Sequence, residues 1–256
     1  MKFSVLFCVN RDTPFLDAAL ASVLAQTHAD FEFIIVANAC PDALWVKVQR
    51  FAGTDPRVRA YRTAIGQLCF NLNYAADLAI GEYLMRMDAD DISRPDRFEV
   101  LARAIVQHRP DVIGSCAVWI DERGRPLDPL DVPLRHADIV RRLPWKTPFI
   151  HPSVAIRRAA LLEARGYIGG FASEDYELWI RMARWGAQFM NVQERLLEYR
   201  THSGQTIASG AGYAEVAGYW LREVLDTGKP RAILGLLIAS GKALRHKWLT
   251  RGKVNG

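Results

Sequence analysis

From Phe3 to Met87, short apolar runs alternate with segments of helical period, and this rhythm restricts the chain more than any other feature. Phe3–Val9 is almost continuously apolar, as a strand covered on both faces must be. Thr13-Pro14 offers an N-cap and a first-turn proline, and Leu16, Ala19, Leu20, Val23 and Leu24 then recur on one helical face. Phe31–Val36 reads as a second strand. Pro41-Asp42 opens a helix carrying Leu44, Val48 and Phe51, and Val58–Tyr61 is a third strand. A helix over Asn71–Ile80 stops at Gly81, and Glu82–Met87 is the fourth strand. Strands and helices alternating in this way need right-handed crossovers. The fold class is therefore α/β, with a Rossmann-like, mostly parallel central sheet flanked by helices. Such sheets bind ligands beyond the carboxyl ends of their strands.

The fourth strand runs directly into Asp88-Ala89-Asp90-Asp91, and Ile92-Ser93-Arg94-Pro95-Asp96-Arg97 follows as a turn and helix start. Like charges this close repel, and they are costly to bury without a cation. Such a cluster either holds a divalent metal for a phosphorylated substrate or caps the next helix as an acidic turn. Its place beyond a strand end, beside the loops Asn10-Arg11-Asp12 and Ala37-Asn38-Ala39-Cys40, favours the metal. Mg2+ or Mn2+ takes oxygen ligands and often only one or two protein carboxylates, which Asp-x-Asp supplies. Neither G-x-x-x-x-G-K-[ST] nor G-x-G-x-x-G occurs, which excludes the P-loop and dinucleotide routes to a nucleotide.

The second half is less regular. Arg97–His108 reads as a helix, Val112–Ile120 as a strand ending in the turn Asp121-Glu122-Arg123-Gly124, and 125–133 as a proline-rich connection. Phe149–Ile156 is a strand broken by His151-Pro152. Glu174–Trp185 is a helix with Leu178, Met182 and Trp185 on its core face, and Arg195–Arg200 is a strand. From about Gly212 the composition changes. Tyr213–Leu225 and Arg231–Leu249 read as two helices, so residues 1–211 form the main domain and 212–256 a C-terminal helical extension. The last helix carries Ile233, Leu234, Leu237, Ile238, Leu244 and Trp248 beside Arg231, Lys242, Arg245, His246, Lys247, Arg251 and Lys253. A basic amphipathic helix of this kind either rests on an anionic membrane surface or packs on the domain with solvated lysines.

The net charge of +5 suits phosphate-rich ligands, but no concentrated basic stripe with interleaved aromatics marks a nucleic-acid site. Cys8, Cys40, Cys69 and Cys116 form no C-x-x-C pair and no zinc spacing, which fits a reducing compartment. Phe3–Val9 is too short for a signal peptide, and no apolar run spans a bilayer. A cytoplasmic protein, or one peripheral on the inner face of the plasma membrane, is expected.

Taken together, the motifs resemble family 2 glycosyltransferases of the GT-A fold, from Phe3 to about Ile207. They are Ser4-Val5-Leu6 with Asn10; Ser22-Val23-Leu24-Ala25-Gln26-Thr27 before Phe31-Glu32; Leu72-Asn73; Gly81-Glu82-Tyr83; and Arg86-Met87-Asp88-Ala89-Asp90-Asp91 running on to Pro95-Asp96-Arg97. His151-Pro152-Ser153, Glu174-Asp175-Tyr176-Glu177-Leu178-Trp179 and Tyr199-Arg200-Thr201-His202 complete the ordered set.

The resemblance implies an inverting, metal-dependent, non-processive enzyme of bacterial surface-glycan type. It would move a hexose or N-acetylhexosamine from a nucleotide diphosphate sugar, a UDP-sugar first, to a saccharide or lipid-linked acceptor. Asp175 would be the catalytic base with Glu174 in support. Cys8, Asn10, Asn38, Asn73, Asp88 and Asp90 would hold the nucleotide sugar. Asp90, Asp91 and His202 would hold Mn2+ or Mg2+, and His151 and Trp179 would meet the acceptor. One departure stands out: Ala37-Asn38 replaces the family's usual aspartates after the second strand, which leaves guanine and thymine open as donor bases. The processive Gln-x-x-Arg-Trp motif is absent. Two other classes share parts of the pattern. A haloacid dehalogenase-type phosphohydrolase uses Asp-x-Asp near its first strand, whereas here several strands precede it. A non-catalytic nucleotide-sugar binding protein would not need Asp90 and Asp175.

Overall fold

The structure is a computed structural model that describes residues 1–203 and 209–251; Ile207, Lys253 and the side chain of Arg251 lie outside the description. Strands β1 (Phe3–Val9), β2 (Phe31–Asn38), β3 (Val58–Thr63) and β4 (Tyr83–Met87) form a parallel sheet in the order β3-β2-β1-β4. Helices α1 (Leu16–Leu24), α2 (Asp42–Ala52) and α3 (Leu68–Leu78) make the crossovers. Side chains of a strand alternate between its faces, and both faces are covered. Phe3, Val5 and Phe7 pack with Leu20 of α1, Val48 of α2 and Leu101 of α4 (Arg97–His108). Leu6, Ile34 and Leu84 pack with Leu72 of α3 and with Leu178 and Trp179 of α7 (Glu174–Arg184). Arg86 shares the face of Leu84, so the chain's alternation sends its guanidinium toward α7.

The second half extends the sheet with antiparallel pairings. β8 (Ala155–Arg157) runs antiparallel to β4, and β6 (Val112–Ile120) antiparallel to β8. β9 (Phe189–Arg200) returns to parallel beside β6, and the two-residue β5 (Ile92–Ser93) pairs with its end. β9 thus brings Arg200 back against the residues that follow β4.

Several local expectations shift. Helix α1 starts at Leu16 without a side-chain cap, and Thr13 contributes its carbonyl to Leu16 N–H at 3.2 Å. Helix α3 begins at Leu68, ahead of the expected Asn71. The proline-rich 125–133 stretch contains β7 (Pro126–Leu130), which among the described residues pairs only with β6; an edge strand tolerates prolines because it need not donate on both sides. His151–Ser153 forms a 3-10 turn before β8. The short helices α5 (His136–Arg142) and α6 (Arg158–Glu163) had no clear sequence signal. β9 starts at Phe189 because its first half gains β6 as a partner.

Helices α8 (Gly210–Thr227) and α9 (Pro230–Arg251) form a hairpin around Gly228, whose φ of 62° suits glycine. A Cβ at Gly235 would lie 2.3 Å from the Trp220 ring, so glycine lets α9 approach α8. Fully buried Glu177 of α7 accepts from Arg181 of its own helix and from Arg222 of α8. Arg184 adds a contact to Glu223 at 3.2 Å. Removing one partner of such a buried pair typically costs about 3–5 kcal/mol. The hairpin is therefore fastened to the helix that begins with Glu174 and Asp175.

Candidate active site

The carboxyl ends of β1 and β4, the 3-10 turn at His151, the start of α7 and the end of β9 enclose a cleft of about 710 Å³. Cys8, Asn10, Asp88, Asp90, His151, Glu174, Asp175 and His202 all line it. Three walls come from chain segments more than sixty residues apart, which is why only their order, and not their meeting, could be read from the sequence.

In this cleft Asp88, Asp90 and Asp91 bring carboxylate oxygens within 4.8 Å of one another. Asp91 is fully buried. One of its oxygens accepts from Arg200 N–H at 2.8 Å, and the other, Oδ2, has no partner among the described residues. Burial first, then repulsion from Asp88 and Asp90, pushes the Asp91 pKa well up. Burial also raises that of Asp88, which Arg86 opposes. Asp90 Oδ2 lies 2.9 Å from His202 Nε2, and Arg200 Nε donates to the Asp90 carbonyl at 2.7 Å. Arg200 further donates to the Asp121 carbonyl at 2.8 Å, and its guanidinium stacks 4.6 Å from the centre of the Phe15 ring. An all-oxygen cluster with mutual repulsion and an orphaned buried oxygen fits a hard divalent ion such as Mg2+ or Mn2+. Asp90 and Asp91 would hold it, with His202 and Asp88 adjoining.

Glu174 and Asp175 also line the cleft, in the first turn of α7, where the helix dipole favours carboxylates. Burial, then the neighbouring Asp175, pushes Glu174 up to about 7. Burial also raises Asp175, against the backbone N–H groups of the helix start and the charge of Arg86. His151 Nε2 meets the Tyr167 hydroxyl at 3.1 Å. Burial, followed by Arg86, holds His151 well below the usual histidine range, so it is neutral at pH 7 and its 3.9 Å approach to Glu174 is no ion pair.

The loop before α7 is pinned from outside. Glu215 of α8 accepts from Phe171 N–H at 3.0 Å, Ala172 N–H at 3.2 Å and the Ser173 hydroxyl at 2.7 Å. Tyr219 accepts from Gly170 N–H at 2.5 Å. A Cβ at Gly170 would fall 2.4 Å from the Glu215 carboxyl carbon, so a side chain there would push that carboxylate off the loop.

Some expected residues sit elsewhere. Trp179 is fully buried, 4.9 Å from the Phe149 ring and 6.2 Å from that of His151; it backs the cleft and has no surface for an acceptor. Asn73 bonds both ways with the Tyr167 backbone, at 2.8 Å each, and so shapes the turn at Gly166 without lining the cleft. Asn38 is buried at the end of β2, also outside the lining. Conversely, Arg86, Thr13, Phe15 and Tyr199 line the cleft and were not singled out. The buried Thr13 hydroxyl has no partner among the described residues. Arg86 had a signal, a charged residue inside an otherwise apolar strand; Thr13 was masked by its resemblance to a helix cap.

The family model described as "Glycosyl transferase family 2" matches residues 4–166. An Escherichia coli protein named "O-antigen biosynthesis glycosyltransferase WbnJ" is 38% identical over 242 residues, covering 91% of this chain and 92% of its own length. The E. coli "UDP-Gal:alpha-D-GlcNAc-diphosphoundecaprenol beta-1,3-galactosyltransferase" is 28% identical, covering 78% of this chain and 74% of its own. Among solved structures, S. aureus TarS 1-349 in complex with UDP-GlcNAc superposes with a TM-score of 0.71 at 18% identity, over 92% of this chain and 70% of that one. That likeness carries the GT-A fold.

The acidic cluster yields a direct expectation. Mn2+ at about a hundred times its Kd should add about 2.7 kcal/mol to stability. A thermal-melt titration should show the rise in the wild type and its loss in Asp90→Ala. Equal shifts in both proteins would remove the cluster as the ion site.

Proposed function

The chain belongs to glycosyl transferase family 2, and on that premise we propose that it moves a hexose or N-acetylhexosamine from a nucleotide diphosphate sugar to an acceptor hydroxyl, with inversion. The observation that carries this is the meeting in one cleft of two acidic groups, the Asp88–Asp91 cluster and the Glu174–Asp175 pair, with the charge of Arg86 acting on both. The diphosphate goes to the first group and the acceptor hydroxyl to the second.

In this reading Asp175 takes the proton of the acceptor hydroxyl as its oxygen bonds to the anomeric carbon. The bond from that carbon to the diphosphate breaks, and the nucleotide diphosphate leaves with the electron pair. A divalent ion held by Asp90 and Asp91 would offset the charge growing on that leaving group. Arg86 keeps Asp88 in place and lowers the cost of ionising Asp175. Glu174, protonated over part of the neutral range, spares Asp175 a full neighbouring charge. His151, neutral and fixed by Tyr167, is suited to hydrogen-bond a sugar hydroxyl. A UDP-sugar donor fits the relatives and Cys8 and Asn10 at the end of β1, while buried Asn38 gives no selection for uracil.

The C-terminal hairpin supports a membrane-proximal acceptor. Ile233, Leu237, Leu244 and Trp248 are exposed along one side of α9, flanked by Arg245 and Lys247, and α8 also exposes Leu221 and Leu225. Among the described residues no helix is long and apolar enough to cross a membrane. An apolar stripe edged by cations fits the plane of an anionic leaflet, on its cytoplasmic face. The "diphosphoundecaprenol" in one relative's name agrees with a lipid-linked acceptor.

Asp175→Asn should lower kcat by about 10²–10⁴-fold while nucleotide-sugar binding with Mn2+ is kept; unchanged transfer removes Asp175 as the base. Because the base must be ionised, transfer rises with pH, and Glu174→Gln should leave that acid limb in place, since Glu174 keeps its own proton up to about 7. The same substitution has a stability signature. Glu174 holds its proton more tightly folded, at about 7, than at its ordinary 4.5. Its contribution to stability therefore falls as pH rises through that window, and Glu174→Gln should flatten the fall. Wild-type protein should sediment with phosphatidylglycerol vesicles and not with phosphatidylcholine ones. A Leu237→Glu/Leu244→Glu variant should stay in solution; equal sedimentation of both would contradict the membrane reading.

A further inference from the structure

Behind Asp175 lies a second cavity, of about 370 Å³, between the α8–α9 hairpin and the 144–147 segment that follows α5. Asp175 and Ala172 line this cavity as well as the donor cleft, so the two spaces share a wall at the proposed base. Its surface is mainly apolar, with Tyr213 and Ile238 among the lining residues. Small-ligand sites fall at about 300–1,000 Å³ and combine apolar walls with a few polar groups. Here the polar groups include two cations, Lys146 from the loop and Lys242 from α9.

Neither lysine forms an ion pair among the described residues. The Lys242 ammonium donates to the Trp145 carbonyl and lies 6.0 Å from the centre of the Tyr213 ring. Burial, and then the charge of Lys146, lowers the Lys242 pKa. Two like charges brought together in a partly apolar space favour an anion between them. The donor's diphosphate already has its place at the acidic cluster in the other cavity. A second anion site, separated from the first by the base, matches a second anionic substrate.

Resting on the glycosyltransferase reading above, we propose that this cavity receives the acceptor, and that Lys146 and Lys242 bind a diphosphate that links the acceptor's sugar to its lipid. The sugar hydroxyl then reaches Asp175 at the shared wall. The cavity depends on the hairpin, so Glu177 with Arg222, and Glu215 with the 170–173 loop, act as positioning contacts for the acceptor side.

Undecyl diphosphate is a probe that carries the linkage and a lipid but no sugar. Titrated in EDTA, which removes metal-assisted binding at the acidic cluster, it should bind the full chain more tightly than a neutral undecyl glycoside. Lys146→Gln/Lys242→Gln should weaken binding by about tenfold or more, the loss expected for charge-assisted hydrogen bonds. Lys146→Arg/Lys242→Arg should restore most of it, and Asp90→Ala should leave it unchanged. Retained Mn2+-dependent nucleotide-sugar binding reports that the Gln variant is folded and tests the broader functional reading separately. Equal diphosphate binding by wild type and the Gln variant overturns the assignment. So does equal binding of the neutral amphiphile. If the lysines matter as much for phosphatidylglycerol vesicles as for soluble diphosphate, they serve the membrane and the assignment also fails.

Discussion

One buried guanidinium organises this molecule. Arg86 lies at the end of β4, only 2% exposed, bonded to Asp88 and to the Met87 carbonyl. Its charge acts on Asp88, His151, Glu174 and Asp175, which come from three parts of the chain. Without a cation there, the two acidic groups of the cleft would share a poorly solvated space and favour their protonated forms. A second buried arginine, Arg97, supports the strand from the other side: its Nη2 donates to the Arg86 carbonyl at 2.9 Å. Burial drives its pKa down to about 9, with Asp91 acting the other way. Charged groups that costly to bury are tolerated because each completes the setting of another.

The same economy explains the sheet. Parallel strands β1 and β4 open the cleft at their carboxyl ends, as the crossover rule requires. The antiparallel additions in the second half have a different task. β8 anchors the His151 turn beside β4, and β9 carries Arg200 and His202 back onto Asp90 and Asp91. The C-terminal hairpin completes the enclosure from the acceptor side by holding the loop that leads into Asp175.

The first half of the fold was legible because β1, β2 and β4 are covered on both faces and each helix has one apolar stripe; periodicity then fixes both. The acidic cluster and the Glu174-Asp175 pair were legible from their order along the chain. What escaped were features defined only by encounters. α5 and α6 are too short for periodicity to distinguish from loops. The early start of β9 depends on pairing with β6. Trp179 and Asn73 look like ligand contacts in a motif, yet one fills the core and the other holds a turn. The second cavity was invisible because Lys146 and Lys242 are nearly a hundred residues apart and neither belongs to a motif.

The central claim is that Asp175 works as a single base in a direct displacement, with the diphosphate held at the Asp88–Asp91 cluster of the same cleft. The anomeric configuration of the product tests this most directly. With an α-linked nucleotide sugar as donor, proton NMR of the newly formed linkage should show the β-anomer. An α-linked product would require a nucleophile on the opposite face of the sugar and would contradict the account.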